Sequence, residues 1–176
     1  IPQLLPPIRT VLEMKADKLY QPKEKVWVLD FGQNFTGIPT LHLDKLNLRP
    51  GQSINLRYAE WADVDGNISQ KTGGGAPLLK QVDTYVASNV SNQNQADTWS
   101  PAFTWHGFRY IEITGLDSPP SLDSISAHLV RSDVERVGTF NSENKLINRV
   151  HDMALWSYES NLMAVLMDCP IRERAG

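Results

Sequence analysis

A mainly β protein is expected, an antiparallel β-sandwich followed by a C-terminal helix. Three observations carry that expectation. Apolar residues recur at every second position in runs between Val26 and Val130, the spacing that puts alternate side chains on one face of a sheet. Turn-forming residues separate these runs at short intervals, as hairpins require. Beyond Arg131 the spacing becomes helical, and no Gly or Pro lies between Gly138 and Pro170, a stretch free of the two strongest helix breakers.

In chain order, Leu41 and Leu43, extended to Leu46, alternate with His42 and Asp44, while Ile54, Leu56 and Tyr58 alternate with Ser53, Asn55 and Arg57. Ile111 and Ile113 alternate with Tyr110, Glu112 and Thr114, and Ile125, Ala127 and Leu129 with Ser124, Ser126 and His128. Each run has one apolar face to bury. Turn signals stand at Arg49-Pro50-Gly51, Asp65-Gly66-Asn67, Gly73-Gly74-Gly75 and Ser118-Pro119-Pro120, where fixed or positive φ is needed. Short strands with one apolar face pack as two layers, an open barrel being the alternative closure. No internal repeat is present.

Asn141-Ser142-Glu143 reads as a helix start, a side-chain cap followed by an acid in the first turn. Leu146, Val150, Met153, Ala154 and Ser157 then fall on one helical face. The stop is expected at Asp168-Cys169-Pro170, because proline excludes the helical conformation from the residue before it. The resulting division is a sandwich domain over residues 1–132, with 1–25 as its lead-in, a linker over 133–141, and a helical region over 142–176. A lone helix beside a sandwich leaves its apolar stripe with too little to pack against. A helical domain is therefore expected to follow, and Ile1-Pro2-Gln3, with neither an initiator Met nor a signal-peptide pattern, reads as a cut end.

Composition narrows the function classes. The 176 residues are 41% hydrophobic and 21% charged, enough for a core and far from disordered, collagenous or coiled-coil usage. Seventeen basic against twenty acidic residues give a net charge of −3, with no run of one sign, so neither a nucleic-acid nor an anionic-membrane partner is expected. Cys169 is the only cysteine, which excludes an intrachain disulfide and a cysteine-rich zinc site. No apolar stretch approaches the roughly 18 residues of a membrane span. Asn-x-Ser/Thr sequons at Asn34, Asn67 and Asn89 point toward a secretory route.

Chemistry concentrates in the last nine residues, Asp168-Cys169-Pro170-Ile171-Arg172-Glu173-Arg174-Ala175-Gly176. Two acids five apart suit sugar chemistry, where one carboxylate accepts from hydroxyls and a protonated partner donates to a leaving oxygen. Arg172 and Arg174 would favour ionised neighbours, which opposes an acid role for Glu173 unless burial outweighs them. The charge pattern by itself favours a solvated tail.

The segment Asp-Cys-Pro-x-Arg-Glu-Arg-x-Gly resembles the active-site signature of α-L-rhamnosidases of glycoside hydrolase family 78, just after the first helix of an (α/α)6 barrel. Upstream, Asp30 to Gly37, Arg57-Tyr58-Ala59-Glu60, Asp83-Thr84-Tyr85, Phe103 to Ile113 and Ser132 to Phe140 are similar to that family's sandwich domain and junction, in the family's order. So are Trp156-Ser157 and Ser160-Asn161 in the helix. The resemblance implies removal of terminal α-linked L-rhamnose with inversion. It implies Glu173 as general acid and Asp168 as the acceptor for rhamnose hydroxyls. Arg172 joins Asp168 in substrate binding, and with Arg174 supports the acidic pair. The second carboxylate that activates water lies farther downstream in the family's barrel, so the 176 residues alone are expected to be inactive. The implied partners are L-rhamnose-containing glycosides and a C-terminal catalytic barrel of the same protein. No cofactor and no metal are assigned.

Other signals have plainer readings. Trp99, Trp105, Phe108 and Tyr110 are read as one aromatic cluster that could stack on sugar rings, but aromatics in strands more often pack cores. His106 is expected to be a hydrogen-bonded histidine near a turn, because no Ser or Cys arrangement nearby supports a triad. Asp63-x-Asp65-Gly66-Asn67 opens like a calcium loop, yet its twelfth position is Gly74 rather than Glu, so a β-turn is expected. Gly73-Gly74-Gly75 lacks the Lys-Ser/Thr of a phosphate cradle. Cys169 is read as packing beneath the acids rather than as a nucleophile. The rival function is a stand-alone carbohydrate-binding β-sandwich module, which would need neither the helix stripe nor the two acids; a structural adaptor is a third reading.

Overall fold

A computed structural model describes residues 4–71, 80–88 and 98–171. The chain opens with β1 (Ile8–Lys15), β2 (Lys18–Lys23) and the long β3 (Val26–His42), followed by a 3-10 turn at Leu43–Lys45. Next come β4 (Ser53–Ala59), β5 (Trp61–Ala62), β6 (Ile68–Ser69), β7 (Val82–Val86), β8 (Thr98–Trp99), β9 (His106–Thr114) and β10 (Ile125–Ser132). Helix α1 (Lys145–Ser160) and the short strands β11 (Leu162–Met163) and β12 (Val165–Leu166) close the described chain.

The main sheet has eight strands in the order β1-β10-β3-β9-β4-β7, with β2 and β8 also pairing to β3. Every pairing is antiparallel. The 17 residues of β3 pair with β2, β8, β9 and β10. Its first half pairs with β2 (Leu19 opposite Leu29) and its second half with β10 (Ala127 opposite Pro39). Between them the register against β9 breaks, from Asp30 opposite Tyr110 to Phe35 opposite Phe108. Bulges of this kind let one strand turn a corner and pass between layers. Gly32 holds φ +72° there, a conformation open to glycine without steric strain. Its N–H donates to Asp30 Oδ1 at 2.7 Å, and Arg109 clamps the same carboxylate with Nε and Nη2 at 2.7 and 2.8 Å.

The alternation read from sequence lands as expected along three strands. Ile54, Leu56 and Tyr58 of β4, Ile111 and Ile113 of β9, and Ile125, Ala127 and Leu129 of β10 join Leu29, Phe31 and Phe35 of β3 in one core. Strands from opposite ends of the sheet thus share a single interior. At its centre Phe31, Phe35 and Phe108 meet with ring centroids 5.9, 5.9 and 4.7 Å apart, the tilted contacts aromatic quadrupoles favour.

Several expectations change. The period-two signal begins at Val26, but β1 and β2 precede it, and β1 pairs with β10 through seven residue pairs from Ile8 to Lys15. No residue of either strand is fully buried, and the strands carry Lys, Arg and Glu, so the hydrophobic alternation is faint. Leu43 lies in the 3-10 turn, not in a strand. Trp99, Trp105, Phe108 and Tyr110 are not one cluster: Phe108 is in the main core with Trp99 packed against it, Tyr110 packs on the Val28–Ala59–Ile68 patch, and Trp105 on the Val130–Met163–Met167 patch. The turn at Asp63 is as expected, with Asp63 Oδ1 accepting from the N–H groups of Asp65 and Asn67 at 3.0 and 2.8 Å. The Gly73-Gly74-Gly75 loop and Asn89 lie outside the described residues.

Leu56→Ala is expected to cost about 2–5 kcal/mol, the usual range for emptying a packed core site. Val64→Ala, at a fully exposed position, should stay within about 0.5 kcal/mol. Equilibrium urea denaturation compares the two.

Candidate active site

The candidate site is the segment that runs from α1 to the end of the described chain. Its helix begins later than the sequence predicts. Asn144, not Asn141, is the cap, its side chain accepting from the N–H of Leu146 at 2.9 Å. Glu143 therefore precedes the helix, and the first turn carries no acid. Asn141 and Ser142 instead bond the side chain of Asn148, whose Nδ2 donates to Ser142 O at 2.8 Å.

The helix also ends early, at Ser160 rather than near Pro170. Thr36 Oγ1 donates to the carbonyl of Ser160, and Trp156 Nε1 donates to the carbonyl of Asn34 at 2.6 Å. Both bonds tie the end of α1 to the second half of β3. The chain then turns back as β11 and β12, with Ala164 at φ +64° and its N–H donating to Ser132 Oγ at 2.7 Å. Met163 and Met167 are buried on Val130, with Ile38 and Trp105 packed against them. A separation of four residues would put both methionines on one helical face as well, so periodicity does not separate the two conformations.

Glu159 pins the same corner. It is 7% exposed and receives Arg136 Nε and Nη2 at 2.5 and 2.8 Å, with Arg131 Nε at 3.8 Å. The hydrogen bond from Arg136 outweighs burial and, with the charge of Arg131, holds the Glu159 carboxyl below its ordinary range. Along the rest of α1, Leu146, Val150 and Met153 are exposed, as expected of a stripe without a partner in the sandwich. Beside the helix, Val137, Phe140 and Leu155 line a groove of about 510 Å³.

Asp168 follows the buried Met167 and is exposed. The Cys169 thiol donates to Asp168 Oδ2 at 3.6 Å. Pro170 and Ile171 are buried again. Arg172 and Glu173, the other two residues assigned from sequence, lie outside the described residues. Asp168 is thus presented to solvent between two anchored neighbours.

Pro170 and Ile171 rest on β9 at Gly107, next to a buried polar network. His106 Nε2 donates to Asp83 Oδ2 at 2.8 Å, Tyr58 Oη donates to the same oxygen at 2.7 Å, and the Tyr58 and His106 rings stack at 4.1 Å. Burial works to raise the Asp83 carboxyl, but the two hydrogen bonds and the His106 charge hold it below its ordinary range. Burial first, then Asp83, pushes the Tyr58 phenol far up. The expectation of a hydrogen-bonded His106 holds, although it is deep in the sheet rather than at a turn. Asp83 lies 23 residues from His106 in sequence, so no local motif announces the network. Gly107 does carry a signal, since a glycine inside a strand marks a bulge or a close backbone approach.

Two family descriptions match the chain in tandem. Residues 20–131 match the bacterial alpha-L-rhamnosidase concanavalin-like domain, and residues 135–176 match the bacterial alpha-L-rhamnosidase 6 hairpin glycosidase domain. An alpha-L-rhamnosidase of Formosa agariphila is 30% identical over 176 residues, 99% of this chain and 18% of the relative. The structure of an alpha-L-rhamnosidase from Dictyoglumus thermophilum matches with a TM-score of 0.85 and 35% identity, over 97% of this chain and 18% of that one. That of Streptomyces avermitilis, complexed with L-rhamnose, matches with a TM-score of 0.82 and 30% identity, over 98% of this chain and 16% of that one. The chain thus spans less than a fifth of the length of these relatives.

Glu159→Gln is expected to lower stability by about 2–3 kcal/mol at pH 7, short of the loss for a fully buried pair because Arg136 stays half in water. The Glu159 carboxyl is depressed in the folded state from its ordinary value of 4.5. Its stabilisation is therefore complete above that value and fades as pH falls from it through the folded value. Melting curves of wild type and variant should converge over that acid interval and stay apart at neutral pH.

Proposed function

The chain belongs to the bacterial α-L-rhamnosidase family, and we propose that it supplies the sandwich and the opening of the catalytic domain of an enzyme that removes terminal α-linked L-rhamnose from glycosides. The observation that supports this most directly is the placing of Asp168. An exposed carboxylate stands at the end of a segment anchored on both sides, soon after the first helix of the part that matches a glycosidase domain. The division proposed is a sandwich over 1–132, a linker over 133–141 and the start of the helical domain over 142–176.

In this reading Asp168 stays ionised and accepts hydrogen bonds from rhamnose hydroxyls, with Arg172 beside it in the substrate site. Glu173 gives its proton to the glycosidic oxygen as the bond to the anomeric carbon breaks. A water attacks that carbon from the opposite face and loses its proton to a second carboxylate, which inverts the configuration. The two carboxyl groups of such a pair stand roughly 6.5–9.5 Å apart to admit the water. The second carboxylate is assigned to sequence beyond the 176 residues. Without it, and without walls to exclude water and hold the sugar, the acid alone gives little rate. The exposed stripe Leu146, Val150 and Met153 on α1 speaks against the alternative of a self-contained carbohydrate-binding module, which would have no use for it.

The 176-residue chain is expected to show no cleavage of an aryl α-L-rhamnoside and no saturable binding of L-rhamnose below millimolar concentration. A full-length protein carrying this sequence should cleave it and lose about 10²–10⁴-fold in kcat on Glu173→Gln. Turnover by the 176-residue chain, or a fully active Gln variant, would overturn the assignment.

A further inference from the structure

We propose that the pocket where the ends of β1 and β3 meet the start of β10 is a second sugar site, which holds one neutral pyranose ring between the Glu13 carboxylate and the Lys15 ammonium. The pocket encloses about 300 Å³, at the lower end of the range of ligand sites, about 300–1,000 Å³. That volume suits a single ring rather than a chain. Its polar lining is Glu13, Lys15, His42, Lys45, Asp123 and Ser126.

The sheet fixes these groups. Lys15 stands directly opposite Ser126 in the β1–β10 ladder, and Glu13, two residues earlier, shares its face of β1. Ser126 is 6% exposed and its hydroxyl pairs with His42 Nε2 at 3.1 Å. Lys45 and Asp123 satisfy one another: Lys45 Nζ donates to Asp123 Oδ2 at 2.5 Å, and Ser121 Oγ takes Oδ1 at 2.6 Å. Glu13 and Lys15, both exposed, make no such bond or ion pair among the described residues.

Charge and hydrogen-bonding capacity select the ligand. Two ammonium groups face two carboxylates in the lining, so the formal charges cancel and neither an anion nor a cation is favoured. One unpaired acceptor and one unpaired donor remain. Hydroxyls on one ring serve both, donating to Glu13 and accepting from Lys15. A zwitterion would match the same two charges, but exposed ion pairs gain little over water. No aromatic ring is among the lining residues, so stacking adds nothing and a millimolar affinity is expected. Ser126 lies six residues along β10 from Ser132, which receives Ala164, about 20 Å at the rise of a strand. The inference goes beyond the proposed function and uses neither of its two acids.

The test is a saturation-transfer NMR titration of a full-length protein carrying this sequence with the methyl α-pyranosides of D-glucose, D-galactose and D-mannose, none of which bears an L-rhamnosyl group. At least one should bind saturably with a Kd on the order of millimolar. Glu13→Ala combined with Lys15→Ala should weaken that binding about tenfold or more. Both positions are exposed and unpaired, so the double variant is expected to fold and to cleave an aryl α-L-rhamnoside with kcat unchanged. No saturable binding of any of the three, or binding that the double substitution leaves unchanged, would overturn the inference. So would binding of glycylglycine and of none of the glycosides, which would assign the pocket to a zwitterion. Cleavage of the rhamnoside without glycoside binding removes this pocket alone. Glycoside binding without cleavage removes the proposed function and leaves the pocket standing.

Discussion

The bulge in β3 sets how the strands on either side of it are arranged. A continuous 17-residue strand would carry its partners along one plane. The break between Asp30 and Phe35, held by Gly32 at positive φ and by the Arg109 clamp on Asp30, turns the strand so that β2 flanks its first half and β10 its second. The ion pair can hold the corner because its carboxylate is buried and satisfied three times over. Burial alone would raise the Asp30 carboxyl, and the hydrogen bonds from Arg109 and Gly32 more than offset it.

The docking of the C-terminal region depends on that turn. The second half of β3 offers Asn34, Thr36 and Ile38 to it, and each is used. The Asn34 carbonyl takes the indole of Trp156, Thr36 takes the end of the helix, and Ile38 packs on the methionine patch. The Asn34 side chain, a sequon position, meanwhile donates to Glu60 at 2.9 Å. The sandwich thus grips the end of α1 and the strands after it, while the apolar stripe on the first half of the helix stays exposed. The bonds from the sandwich gather at the end of α1 and the turn after it.

The boundaries of the helix show where sequence reasoning gives out. Propensity and spacing favour one helix up to Pro170, and no Gly or Pro after Gly138 interrupts the pattern. The stop comes from residues about thirty or more positions away in sequence, Thr36 and Ser132, which satisfy backbone groups that a continuing helix would have bonded internally. The same kind of long-range pairing makes β1 a strand: its partner β10 supplies the ladder that its own weak alternation does not announce. Trp99, Trp105, Phe108 and Tyr110 look like one cluster because they are close in sequence. Trp99 belongs to β8 and Trp105 precedes β9, and even Phe108 and Tyr110, two apart in β9, fall in separate apolar patches.

Residue order alone sets which face of β4, β9 and β10 is buried, because a period of two leaves no choice once one face is apolar. It also carries the family signature and places the acids within it, since those are matters of residue type and spacing. The end of the helix, the register break in β3 and the glycine that receives Pro170 and Ile171 are settled only when the chain has folded. Each rests on contacts between segments far apart in sequence, whose energies no local pattern encodes.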